Sequence, residues 1–301
     1  MQVSTSTFFR NQTDSLQELK TSISTLQTEI ASGKKVTVPS DDPIAFSELS
    51  RLKAKNAELV QAGKNIISVQ QRLAMTENAL TQFTTTITRI KELGVQAGQS
   101  TASASDKMNI AAEISVLSET LLGLANTKNL DGTSLFAGYK PDVTPFTMAT
   151  DGTVTYHGDS SQIEQTIGSD ASMHTNLAGS AVFLEVQQDD GSKKSIFDTI
   201  KTAMSQLKAG EAPTDLAAET ESAITHIGSF LTITGARLSR VTDQVDRNQQ
   251  DTLAATAQIS TLEGTDVEKA ITEMKQKMLS LDAAQASFVK IADLSLFSYL
   301  R

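Results

Sequence analysis

The sequence predicts a mainly α protein with a small β-rich insert, built on a long antiparallel helical stem or coiled coil with amphipathic terminal helices. Two windows without proline, residues 44–140 and 214–301, leave room for very long helices. Leucine, isoleucine and valine recur in both windows at alternating three- and four-residue steps, the spacing of a coiled-coil seam. Between the windows, residues 133–192 hold short β-prone runs bounded by turn residues.

Composition excludes several classes of protein. The 301 residues contain no cysteine, so no disulfide and no thiolate metal site can form, and we expect no cofactor. The net charge of the chain is −9. Residues 101–200 carry 13 acidic and 5 basic side chains, so they contribute −8 of that charge. This acidic middle argues against a nucleic-acid partner. No apolar run reaches the roughly 18 residues of a membrane helix, and no cleavable signal peptide is expected.

Proline, glycine and apolar spacing divide the chain into five predicted segments. These are an N-terminal helix in 1–40, a first stem part in 41–132, the β-rich insert in 133–192, a second stem part in 193–263 and a C-terminal helix in 264–301. A helix over residues 43–101 would extend about 88 Å at roughly 1.5 Å per residue.

Local signals mark the helix ends. Asp42 precedes Pro43, which suits an N-cap followed by the first helical position. Ser103 with Asp106, and Thr265 with Glu268, have the spacing of capping boxes. The apolar phase slips at Gly264, which predicts a joint between two helices.

The insert is expected to contain strands at residues 153–156 and 182–186, where β-branched and aromatic residues cluster. Turn residues bound these runs at Asp151-Gly152, at His157-Gly158-Asp159 and at Asp189-Asp190-Gly191.

The terminal helices carry apolar stripes that predict an assembly interface. The residues are Leu16, Leu19, Ile23, Leu26 and Ile30 near one end, and Val267, Ile271, Met274, Met278, Leu281 and Phe288 near the other. Burying one such stripe contributes less than the backbone entropy lost in ordering the whole segment. We therefore expect both ends to be disordered in the monomer and to fold against neighbouring subunits.

Motifs for chemistry are missing. His157, His174 and His226 lie far apart in the sequence, without an HExxH motif or an i, i+4 pair. Gly33-Lys34-Lys35 ends like a phosphate loop, but Thr28 stands where the loop needs its first glycine. We expect no enzyme.

Three stretches resemble one protein family. ASGKKV at 31–36 followed by PSDDPIA at 39–45 is similar to the segment after the first helix of flagellin-like proteins. The second stretch resembles the start of that family's outer domain and comprises LFAGYK at 135–140, PF at 145–146 and YHGD at 156–159. The third resembles its C-terminal helix and comprises QAS at 285–287, SLF at 295–297 and YLR at 299–301. The form of the first stretch resembles the hook-associated proteins of the flagellar hook–filament junction. The motif residues are Gly33, Pro39, Ser40, Asp41, Asp42, Pro43, Phe136, Gly138 and Tyr139.

The resemblance implies a non-enzymatic, extracellular subunit of the bacterial flagellum, exported unfolded by the flagellar type III apparatus. Such a subunit forms a short helical ring of its own copies between the preceding hook-associated protein and the flagellin filament. Its terminal helices form an inner coiled-coil tube, its acidic insert faces solvent, and an export chaperone binds it before secretion.

Other readings of the sequence remain open. The filament flagellin itself shares the terminal helices, although flagellins differ around residues 41–45 and 136–146. A secreted coiled-coil adhesin or effector would bind a host ligand through residues 133–192. An enzyme with an unrecognised site is the least favoured alternative.

Overall fold

The computed structural model describes residues 2–168, 171–188 and 190–299, with side chains described between residues 7 and 291. Asp189 of one expected turn, and Leu300 and Arg301 of the expected C-terminal helix, lie outside the described residues. The α-helices are α1 (Gln2–Ser32), α2 (Pro43–Ala97), α3 (Ala104–Ala125), α4 (Ile196–Lys208), α5 (Leu216–Glu263) and α6 (Val267–Tyr299). The strands are β1 (Phe146–Met148), β2 (Val154–Tyr156), β3 (Glu164–Thr166), β4 (Ser172–His174), β5 (Val186–Gln187) and β6 (Lys193–Lys194). This confirms the mainly α fold with a small β-rich insert.

The predicted starts of α2 and α3 are confirmed by their caps. The Asp42 carboxylate accepts hydrogen bonds from the backbone amides of Ile44 at 3.0 Å and Ala45 at 2.9 Å. Ser103 and Asp106 form a full capping box at the start of α3. These side chains satisfy amides that have no partner within the helix. α2 ends at Ala97, four residues before the expected end.

The joint at Gly264 is confirmed, but the expected cap of α6 is wrong. α5 ends at Glu263 and α6 begins at Val267. The Asp266 carboxylate accepts from the Lys269 amide at 3.1 Å, whereas the Thr265 hydroxyl donates to Glu29 instead. Asp266 lies directly before the first helical residue, so its side chain has the better geometry for the cap.

The described chain divides into two compact units. The terminal unit comprises Met1–Glu58 with Thr252–Arg301, and the central unit comprises Leu59–Asp251. These limits fall inside α2 and α5, whereas the predicted five segments follow changes in sequence character. The five-segment division stays a prediction.

An antiparallel pair of α2 and α5 organises the central unit. Near one end of the pair, the Asn248 amide donates to the Leu59 carbonyl at 3.0 Å. Further along, Val69 and Val241 are fully buried in one apolar cluster. Residue numbers rise along α2 as their partners fall along α5, which confirms the antiparallel stem within this unit.

An aromatic cluster forms the centre of the main core. The Phe183 ring lies 4.6 Å from Phe83, 5.1 Å from Phe136 and 5.6 Å from Phe146, measured between ring centroids. Phe197 follows at 6.5 Å, and the Phe183 side chain is 1% exposed. These edge-to-face and tilted contacts join α2, the insert and α4 into one core.

The described residues form three antiparallel hairpins, pairing β1 with β2, β3 with β4 and β5 with β6, and the last hairpin extends two residues past the expected insert. The expected strand at 153–156 is confirmed by β2. The expected strand at 182–186 is largely wrong, because Ser180–Leu184 is a π-helical turn and only Val186 belongs to a strand. Val182 and Phe183 are both buried, so the run lacks the alternation of a half-buried strand.

The helix α3 is long and apolar enough to span a membrane by length and composition alone, which the sequence analysis does not anticipate. It packs on α4 and buries Ile110, Ile114 and Leu121, as helices in protein cores also do. Among the described residues, no group of three or more histidine, aspartate or glutamate side chains is placed to hold a metal ion.

Candidate assembly site

The two terminal helices pack against each other within the terminal unit. On α1, Ile23 and Leu26 are each 8% exposed, and the remaining predicted residues are half-buried: Leu16, Leu19 and Ile30. Further from the joint, the rings of Phe9 and Phe288 meet edge to face at 5.5 Å. The partner that covers the α1 stripe in this structure is therefore α6 of the same chain. Disorder of these helices in the free monomer stays a prediction, measurable as rapid proteolysis of residues 2–32.

Only some of the residues in the predicted apolar stripe of α6 are covered in this structure. Ile271, Met274, Leu281 and Phe288 are half-buried, but Val267 is 42% and Met278 45% exposed. Ala270 is buried and Lys277 half-buried, and neither residue belongs to the predicted stripe. The role of Val267 and Met278 in contacts between subunits stays a prediction.

α6 also carries apolar side chains that are exposed in this structure. Leu279 is 72% exposed, Val289 57% and Ile291 39%. Val267, Met278 and Val289 follow one another at eleven-residue steps, so they form one exposed apolar stripe along α6 beside its seam with α1, whereas Leu279 and Ile291 lie on other faces of the helix. Exposed apolar groups in such number on one helix are typical of a surface that another chain covers.

Main-chain hydrogen bonds join the segment that follows α1 to the joint between α5 and α6. The Lys35 amide donates to the Glu263 carbonyl at 2.8 Å, and the Thr265 amide donates to the Gly33 carbonyl at 3.0 Å. Gly33 has a φ of 68°, a backbone conformation that glycine adopts without strain. The residues after α1 and before α6 thus form a two-residue antiparallel bridge.

The Glu263 carboxylate supports this bridge. Its side chain is 11% exposed and lies 2.6 Å from the Lys34 ammonium and 2.9 Å from the Lys53 ammonium. The Lys34 hydrogen bond, followed by that of Lys53, lowers the pKa of Glu263 from its usual value. We call Glu263, Lys34 and Lys53 the joint clamp, because they tie the end of α5 to the segment after α1 and to the start of α2.

Replacement of Glu263 with Gln is expected to destabilise the terminal unit by about 1 kcal/mol at pH 7. A carboxyl with a lowered folded-state pKa stabilises the fold above its unfolded pKa, and this contribution is lost as the pH falls through the folded-state pKa. The difference between wild type and variant should therefore disappear in acid. Urea unfolding at pH 7 and pH 3 measures it, and Glu18→Gln on exposed α1 surface is the control. An equal difference at both pH values would contradict the prediction.

The motif residues between α1 and α2 form a turn. The Asp41 carboxylate accepts hydrogen bonds from the amides of Thr37 at 2.9 Å and Val38 at 3.0 Å. These bonds, with Val38 the larger cause, lower the pKa of Asp41. Val36 is 4% exposed and anchors the turn. The other motif residues of this stretch, Pro39, Ser40 and Pro43, are exposed.

The second motif lies in the central unit, around Gly138. Phe136 is fully buried, Gly138 has a φ of 67°, and Tyr139 is 60% exposed. The Tyr139 amide donates to the Asp159 carboxylate at 3.0 Å, and the Asp159 amide donates to the Ala137 carbonyl at 3.1 Å. Amide hydrogen bonds, the Tyr139 bond first, lower the pKa of Asp159. The motif therefore closes a loop against residue 159 and exposes one aromatic ring.

Sequence reasoning did not identify the residues that hold these segments in place. Glu263 and Lys53 are 210 residues apart in the chain, and no local pattern links them. Asp159 appears in the sequence analysis only as part of a turn. Two of the three histidines have ordinary structural partners: His157 Nε2 lies 2.8 Å from the Thr147 hydroxyl, and His226 Nε2 lies 2.9 Å from the Ala181 carbonyl.

A family model described as the bacterial flagellin N-terminal helical region matches residues 3–141. The match includes α1, α2, α3 and both motifs. The matched region therefore contains α1 of the terminal helix pair, the turn that follows α1 and the loop at Gly138.

Two curated proteins are similar over most of the chain. Flagellar hook-associated protein 3 of Salmonella typhimurium is 28% identical and is matched over 100% of both chains. Flagellin of Listeria innocua is 25% identical and covers 84% of this chain and 83% of its own length. Among solved structures, flagellar hook-associated protein 3 of Legionella pneumophila superimposes with a TM-score of 0.66 at 18% identity, covering 71% of this chain and 98% of its own.

Proposed function

Because the chain belongs to the flagellin superfamily as a structural subunit of the flagellar hook–filament junction, we propose that its terminal helices assemble with those of neighbouring copies into a tube. The observation that carries this proposal is the exposed apolar stripe of α6, where Met278 is 45% and Val289 57% exposed. α1 covers the seam of α6, so the exposed stripe beside the seam is available to a neighbouring copy. Burial of exposed apolar area drives such association.

The assembly that this implies is a short helical ring of the chain's own copies. Its ends contact the preceding hook-associated protein on one side and flagellin on the other. An export chaperone holds the terminal segments before the chain leaves the cell unfolded to function outside the cell. The role is mechanical, and no catalytic step is involved.

A clean deletion tests the proposal, with electron microscopy of the cells and an assay for flagellin in the medium. Hooks without filaments, together with flagellin lost to the medium, would support the junction role. Hooks without filaments and without flagellin anywhere would mean that this chain is the filament subunit. Normal flagella would overturn the proposal and favour an adhesin or effector.

Two single variants separate folding of the helix pair from assembly. Leu26→Asp places a charge in the seam, where the side chain is 8% exposed, and is expected to separate α1 from α6 in the chain itself. Met278→Asp changes an exposed side chain and is expected to block incorporation into the junction while the monomer keeps its helix content. Gln276→Asp adds the same charge at an exposed polar site of α6 and is the matched control.

Incorporation is measured by immunoblotting isolated flagella for the chain, and helix content by circular dichroism of the purified monomer. If Leu26→Asp and Met278→Asp together left incorporation unchanged, the terminal helices would not drive assembly. An equal loss with Gln276→Asp would mean that charge, rather than the apolar surface, explains the effect.

A further inference from the structure

A groove lies between the β3–β4 hairpin and α5 in the central unit. Its volume is about 500 Å³, and the residues that matter here are Met173, His174, Ile233, Ala236, Arg237 and Arg240. The four α5 residues follow one another at three-, one- and three-residue steps, so they share one helix face. Ile233 is 43% exposed. The groove thus combines an apolar floor with two guanidinium groups.

The two arginines have no carboxylate partner among the described residues. Arg237 donates to the Asn176 carbonyl at 3.3 Å, and its burial lowers its pKa because no anion compensates the lost hydration. Glu164 also lines the groove, but its carboxylate accepts the Ser172 hydroxyl instead. Arg240 is exposed at the end of the groove, so its guanidinium is the one that a carboxylate from outside the chain can reach.

A face of complementary character lies on α3 of the same unit. Met108 is 61% and Val116 63% exposed, and Ala112 lies between them one turn from each. Glu119 follows on the same face as its one charged side chain, and it forms no ion pair within the part of the chain that the structure describes. The face is therefore apolar over three turns and acidic at one end.

We propose that the α3 face of one copy docks into the α5 groove of the next copy, with Glu119 paired to Arg240 and Met108 or Val116 against Ile233. This inference rests on the proposed assembly into a ring. The two surfaces are different parts of the chain, so the contact is head to tail and repeats from copy to copy. Apolar contact supplies area, and the charge pair fixes the register between neighbouring copies.

Charge reversal tests the pairing. Arg240→Glu and Glu119→Arg are each expected to reduce incorporation into isolated flagella about fivefold or more, and the double variant is expected to restore it. Arg247→Glu is the matched control, because Arg247 is exposed on the same helix outside the groove. Unfolding of each purified variant checks that the fold is intact. Single variants that incorporate like wild type, or a double variant no better than either single one, would overturn the inference.

Crosslinking provides an independent measurement, since the chain contains no cysteine. A chain carrying both Glu119→Cys and Arg240→Cys is expected to form a ladder of covalently linked oligomers when isolated flagella are treated with a short bismaleimide, whose spacer covers the distance that the two long side chains span in the ion pair. The pair Glu119→Cys with Arg247→Cys should not, because residue 247 lies about 10 Å further along α5. No ladder from the first pair in flagella that contain the chain would overturn the interface and leave the junction role standing. Normal filaments in the deletion strain would overturn that role instead.

Discussion

Replacement of Phe183 with Ala is expected to destabilise the central unit by about 3–5 kcal/mol, the largest effect of any single substitution considered for this chain. Phe183 is 1% exposed, and its ring contacts four other rings. Removal of the ring leaves a cavity at the place where α2, the insert and α4 meet. The neighbouring phenylalanines are held by different elements, so they cannot move together to fill it.

Urea unfolding of the full chain measures this effect through the transition of the central unit. Leu130→Ala is the control, because Leu130 is 80% exposed and its truncation should change stability by less than about 0.5 kcal/mol. A loss below about 1 kcal/mol for Phe183→Ala would mean that the cluster repacks, and the aromatic core would then not be what holds the insert to the helices.

The second large effect is expected for Gly138→Ala. A Cβ atom at residue 138 would overlap the Asp159 carboxylate and carbonyl oxygens and lie 2.9 Å from its carbonyl carbon. The positive φ of 67° adds about 1–2 kcal/mol of backbone strain, and displacement of Asp159 adds about 1–3 kcal/mol. We expect a total loss of about 2–5 kcal/mol and faster hydrogen exchange at the amides of Tyr139 and Asp159.

Gly132→Ala is the matched control for this prediction. Gly132 has a φ of 82°, but nothing lies within 4 Å of the Cβ atom that the substitution would add. It should therefore show the backbone strain alone, about 1–2 kcal/mol. Equal losses for the two variants would mean that the contact with Asp159 contributes nothing, and that the motif glycine is needed only for its conformation.

Much of the helical architecture could be predicted because its signals are local. Asp42 before Pro43 and Ser103 before Asp106 mark helix starts through atoms only a few residues apart. The apolar spacing on α1 likewise identified the residues that are buried. The cap of α6 was missed because Thr265 and Asp266 are adjacent and both suit an N-cap by residue type.

Apart from β2, the strands could not be predicted, and neither could part of the α6 seam, because their determinants are tertiary. The β3–β4 hairpin pairs Glu164 with His174, and neither residue type favours a strand. Lys277 is half-buried on α6 although its side chain carries a charge, which a hydrophobicity pattern does not register. The joint clamp depends on Lys53 and Glu263 meeting across 210 residues of chain, so only the folded structure brings it together.

The main-chain hydrogen bond between Gly33 and Thr265 fixes the register in which α1 and α6 pack against each other. The two helices have 31 and 33 residues, and both are held by main-chain bonds at the joint. They therefore cannot slide past each other by a heptad of about 10 Å. Removal of seven residues from one helix would therefore leave one heptad of the other uncovered. A change in the length of α1 therefore requires an equal change in the length of α6 if the two helices are to cover each other to their ends.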